Sequence, residues 1–92
     1  MELRISHCNN FFKIKGSLNK NNVDFFKSEF KNIFEKLNSL TISIEDLESM
    51  DHFGVNALAE LHREAIVNNK NMAIIGLGSN DLYKHFKSEK AA

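Results

Sequence analysis

Apolar and polar residues alternate near the start of the chain. Arg4 separates Leu3 from Ile5, and Lys13 separates Phe12 from Ile14, which is the two-residue period of a half-buried strand. The pattern predicts strands near 2–8 and 11–16, joined as a hairpin at Asn9-Asn10 and ended by Gly16. The period then changes. Val23, Phe26, Phe30, Ile33, Phe34 and Leu37 recur at spacings of three and four. That predicts a helix over 21–38, capped at Asn21 or Asn22, with its phenylalanine stripe packed on a sheet. Phe25 falls off the stripe.

Alternation returns at Leu40, Ile42 and Ile44, predicting a third strand followed by a polar turn, Glu45 to Met50. Beyond Asp51, the residues Val55, Leu58, Ala59, His62, Ala65 and Ile66 share one helical face. Asp51 is suited to cap that helix, because a short carboxylate accepts bonds from the first unpaired N–H groups. Gly54 in the first turn lowers helix propensity, which implies that another group approaches the backbone closely there. The run Asn68 to Asn71 ends the pattern, and Met72 to Leu77 is a continuous apolar stretch expected of a strand covered on both faces. Gly78-Ser79 turns into a final helix near 80–88 carrying Leu82 and Phe86, with a frayed tail at about 88–92.

The predicted order is β-β-α-β-α-β-α. It implies a single small α/β domain over 1–92: a four-stranded, mostly parallel mixed sheet packed with three helices, its first strand antiparallel at an edge. A chain of 92 residues supports one such core and not two.

Composition removes several classes of function. Twelve basic and twelve acidic residues cancel, leaving no electrostatic case for nucleic acid or an anionic membrane. No apolar run approaches the ~20 residues of a membrane span, and the N-terminus lacks a signal peptide's apolar segment. Cys8 is the sole cysteine, so no internal disulfide forms, and a cytoplasmic protein is expected. Cys8 lies in a predicted edge strand without a neighbouring base, and reads as a structural or incidental thiol. His7, His52, His62 and His85 show no metal-ligand spacing, so no metal or other cofactor is expected. His62 lies on the apolar helix face, as a half-buried core histidine would. Gly76-Leu77-Gly78-Ser79 lacks both the dinucleotide fingerprint and the P-loop lysine, and reads as a tight turn.

One constellation stands apart: Asp51-His52-Phe53-Gly54. A helix start with an imidazole, an aromatic ring and a bare backbone offers donors, apolar area and close access in one patch.

The stretch Ile44 to Val55, I-E-D-L-E-S-M-D-H-F-G-V, resembles the strand, loop and helix start of the STAS domain (sulphate transporter and anti-sigma factor antagonist). In that family an apolar strand and a D-L-type turn precede D-S-S/x-G-L. Asp51, Gly54 and Val55 match the D, G and L, and Asp46-Leu47 match the turn loosely. Gly16-Ser17-Leu18-Asn19 resembles the family's G-x-L-D, with Asn19 for the aspartate, and I-I-G-L-G-S resembles its last strand and turn. The family's phosphorylated serine follows the aspartate, and here that position is His52.

The resemblance implies a non-catalytic protein–protein interaction module, with Asp51, His52, Phe53, Gly54 and Val55 as its partner-binding patch. The partner implied is an anti-sigma factor of the kinase-like type. An accessory subunit of an ABC-type transporter or larger signalling complex is the alternative, and a nucleotide-binding or enzymatic α/β domain ranks below both. With His52 in place of serine, the family's phosphorylation switch is expected to be missing.

Overall fold

A computed structural model of the chain describes residues 3–76. The predicted final helix near 80–88, the Gly78-Ser79 turn before it, Leu77, His85 and the tail lie outside the described residues.

The chain opens with β1 (Leu3–Cys8) and β2 (Phe11–Leu18), continues through α1 (Val23–Glu29) and α2 (Ile33–Lys36) to β3 (Ser39–Ser43) and β4 (Leu47–Met50), and closes with α3 (His52–Val67) and β5 (Asn71–Ile75). The strands form one mixed sheet ordered β1-β2-β3-β5, with β4 also on β2. Among the described residues, only the β1–β2 pair is antiparallel. Asn9 makes the tight reversal between them at φ 55, a conformation that asparagine tolerates better than most residues.

Three features of the element layout depart from the sequence prediction. First, β2 runs past Gly16 to Leu18. Gly16 has φ 91 and sits where the β2–β4 register shifts, so this glycine makes a bulge and does not end the strand. Second, β2 pairs β3 through Phe11 to Lys13 and then β4 through Gly16 to Leu18. The predicted polar turn therefore contains a fifth strand. Leu47 is its only buried side chain, too little to create a visible period. Third, the helix predicted over 21–38 is two helices. Asn32 adopts φ 58, ψ 24, and one left-handed residue breaks the ladder of i to i−4 bonds. The phenylalanine stripe survives the break. Phe26, Phe30 and Phe34 are buried, and Ile33 and Leu37 pack partly against them. The Phe26 and Phe12 ring centroids lie 4.7 and 5.0 Å from that of Phe30. Asn22 occupies the N-cap position of α1 but makes no side-chain cap bond.

On α3 the buried arc comprises Val55, Ala57, Leu58, Ala59, Leu61 and Ala65, whereas Ile66 is 62% exposed. The arc is rotated from the predicted face because α3 packs on α1 as well as on the sheet. Ala57 and Leu61 line a cleft together with Phe26 and Phe30. His62 is half-buried. The helix ends as its asparagines suggested. Asn69 is left-handed at φ 57, and Lys70 and Asn69 donate N–H bonds to the carbonyls of Ala65 and Ile66, which is the Schellman arrangement. On β5, Met72 and Ile74 are half-buried while Ala73 and Ile75 are exposed. Among the described residues, this strand is covered on one face, not on both.

The three described helices pack on the sheet face that carries Phe12, Ile14, Leu40 and Ile42. This two-layer arrangement leaves the start of α3 at one end of the sheet, beside the end of β2.

Candidate functional site

The first turn of α3 is held by bonds from three chain segments that meet at Asp51. The Gly54 N–H donates to Asp51 Oδ1 at 3.1 Å, and the Lys20 N–H donates to Oδ2 at 3.0 Å. The Asp51 N–H in turn donates to the Leu18 carbonyl at 3.2 Å. Asp51 thus caps α3, as its residue type predicts, and also clamps the β2–α1 loop to it. Partial burial acts to raise the Asp51 carboxyl. The N–H groups of Lys20, Gly54 and Phe53, with the nearby charge of His52, outweigh it and hold the carboxyl below its usual value.

The loop carrying Lys20 is itself braced. Asn22 Nδ2 donates to the Ser17 carbonyl at 2.8 Å, and Asn22 Oδ1 accepts from the Asn19 N–H at 2.9 Å. Beneath it, Ser49 Oγ donates to Ser17 Oγ at 2.9 Å, joining β4 to β2.

Gly54 explains the low helix propensity accepted at its position. A Cβ there would lie 2.5 Å from Met50 Cγ and 2.9 Å from both Leu18 Cγ and the Leu18 carbonyl oxygen. Only a residue without a side chain lets α3 start this close to β2 and β4.

Above that frame, His52 and Phe53 are exposed, Phe53 by 39%. Their ring centroids are 4.3 Å apart at 34°, and Lys20 Nζ lies 5.9 Å from the Phe53 centroid, within cation–π reach. Of the five residues predicted to form the patch, His52 and Phe53 stand at the surface and Asp51 is half-buried. Gly54 and Val55 face inward and support the patch from below. Sequence reasoning missed Lys20. It lies 31 residues before Asp51, and no local pattern links the two.

His7 stacks on Phe12 with centroids 4.8 Å apart, and Cys8 is exposed. Among the described residues no three His, Cys, Asp or Glu side chains converge as a metal site would need, and no helix is long and apolar enough to cross a membrane.

The sequence model of one family, the STAS domain, matches residues 2–88. The chain belongs to the STAS domain family. No curated protein matches its sequence. Among solved structures, the STAS domain described here is similar to the anti-sigma factor antagonist SpoIIAA in its unphosphorylated form. The TM-score is 0.63 at 18% identity, over 79% of this chain and 71% of that one. An uncharacterized protein of the DUF3478 family with a SpoIIAA-like fold, from Shewanella loihica PV-4, matches with TM-score 0.57 at 16% identity, over 99% and 78% of the two chains. Mglu matches with TM-score 0.61 at 8% identity, over 77% of this chain and 18% of its own. At these identities the likeness is one of fold: a small α/β domain with a mixed sheet, as predicted, here with five strands in place of four.

Proposed function

We propose that this STAS domain is a non-catalytic interaction module that docks a protein partner on the first turn of α3, in the manner of an anti-sigma factor antagonist. One observation carries the reading. An exposed aromatic–imidazole pair, His52 and Phe53, with Lys20 beside it, stands on a frame that Asp51 and Gly54 hold in one geometry. An aromatic anchor flanked by polar groups on a preorganised base is the composition of a binding hot spot. Asp51 is not a free base, since backbone N–H groups engage both of its carboxylate oxygens.

The module is not switched by the family's serine phosphorylation. An imidazole at position 52 cannot form a serine phosphate ester, so the added ~1.5–2 negative charges that would repel a partner have no attachment point there. Ser49 lies before Asp51, with its hydroxyl bonded to Ser17.

The test uses an anti-sigma or kinase-like protein of the source organism, taken from the neighbouring genes if one is encoded there. Calorimetry should show Phe53→Ala weakening its binding about tenfold or more with the thermal midpoint unchanged. Incubation with that kinase and ATP, followed by mass spectrometry, should find no phosphoserine over 49–54. Equal binding by Phe53→Ala, or stoichiometric phosphoserine with loss of the partner, would overturn the reading. A transporter ATPase subunit as the binding partner would make the domain an accessory subunit.

A further inference from the structure

The sheet face away from the three described helices carries a charge arrangement that folding alone does not favour. Arg4 and Lys15 are directly opposite in the β1–β2 register, and both are exposed. Opposite residues project to one face with Cβ atoms about 5 Å apart, where like charges destabilise a hairpin. Neither makes an ion pair among the described residues, whose salt bridges are Lys13–Asp46 and Lys27–Glu60. Lys13 shares the face, two residues before Lys15, and its ammonium lies 3.6 Å from Asp46 with 41% of its side chain exposed. Phe11, 38% exposed, stands at the hairpin end of the same face.

We propose that this face binds an extended, acidic segment of a partner protein, lying along the hairpin with carboxylates on Arg4, Lys15 and Lys13 and an apolar side chain on Phe11. The spacing supports an extended occupant. Lys13 and Lys15 project about 7 Å apart, and an extended chain with acidic side chains at alternate residues presents carboxylates at the same repeat. A second copy of this face would bring cations onto cations. A nucleic-acid site, with about six to ten phosphate contacts and several stacking rings, needs more than three cations and one phenylalanine. This surface lies on the opposite side of the sheet from the start of α3, so it offers a second contact independent of the first.

The test titrates the isotope-labelled full chain with a peptide of about ten residues, alternating glutamate and alanine, and follows the amide resonances by NMR. Shifts should concentrate on 4–8 and 11–15, and affinity should fall as salt is raised from about 50 to about 200 mM. Arg4→Glu places a glutamate opposite Lys15. It should lower the affinity about tenfold while raising the thermal midpoint, since an opposed pair replaces a like pair. Lys15→Glu serves as the second variant, with the same two outcomes expected. Retained affinity in both variants, or shifts centred elsewhere, would overturn the proposal. So would tighter binding to an oligothymidylate or to phosphatidylserine vesicles.

Discussion

Replacing Gly54 by alanine tests the frame beneath the exposed His52–Phe53 pair. In an ordinary helix the change stabilises by up to about 1 kcal/mol through propensity. Here the added Cβ falls under 3.0 Å from three atoms. Met50 Cγ and Leu18 Cγ belong to side chains that can rotate, but the Leu18 carbonyl oxygen is backbone. That oxygen also accepts the Asp51 N–H at 3.2 Å, so pushing it aside stretches the bond that ties the cap to β2. Overpacking costs about 1–3 kcal/mol, and a weakened hydrogen bond adds up to about 1 kcal/mol. The propensity gain and the weakened bond, each up to about 1 kcal/mol, roughly offset one another, so the overpacking leaves a net loss of about 1–3 kcal/mol. For a domain of this size that lowers the thermal midpoint by about 5–20 °C. Urea and thermal unfolding followed by far-ultraviolet circular dichroism measure it directly. Adding Met50→Ala in the same background removes the nearest clash and should recover part of the loss, as a non-additive cycle. A Gly54→Ala variant as stable as the parent, or more stable, would refute the argument that close approach selects glycine here.

Phe30 is 3% exposed and packs against two other rings, so Phe30→Ala should cost about 3–5 kcal/mol in urea unfolding. Asp51→Ala should cost about 0.5–2 kcal/mol through loss of the cap, read from the same titration. Because the folded Asp51 carboxyl lies below its usual 3.8, its stabilisation is complete above the unfolded value and is lost as pH falls through the folded one. Acid titration of Asp51→Asn should therefore show a flatter stability profile below about pH 4 than the parent. Asn32→Val places a β-branched residue at φ 58 and should destabilise by about 1–2 kcal/mol, whereas Asn32→Gly should match the parent or exceed it in thermal midpoint.

Much of the architecture is legible because its signals are local. The hairpin is written in Leu3, Ile5, Phe12 and Ile14 around an Asn-Asn turn, and the third strand and long helix in Leu40 to Ala65. The α1–α2 break is hidden because Phe26, Phe30 and Phe34 keep a four-residue spacing across it. One asparagine in a left-handed conformation breaks the helix without disturbing which side chains face the sheet. β4 is hidden for the opposite reason. Its pairing with β2 crosses some 30 residues, and four residues with one buried side chain carry no period. At the site, the cap at Asp51 follows from residue type, and Gly54 announces itself by its cost in a helix. Lys20 does not, because its place beside Phe53 is set by the Asn19–Asn22 turn and by a bond to Asp51 that only the tertiary fold brings together.

β2 is shared by three other strands, with β1 on one edge and β3 then β4 on the other. In terms of amide exchange, such a strand has no opening of its own. Separation of β5 from β3, or fraying at Cys8, leaves Phe12 paired with His7 on one edge and with Ile42 on the other, so its exchange waits for the whole domain to unfold. The start of α3 is tied to this strand through the Leu18 carbonyl and inherits the same cooperativity. A partner that binds only the folded domain at His52 and Phe53 slows global opening by the factor 1 + [L]/Kd. That factor should appear undiminished at Phe12, paired on both edges in the middle of the sheet.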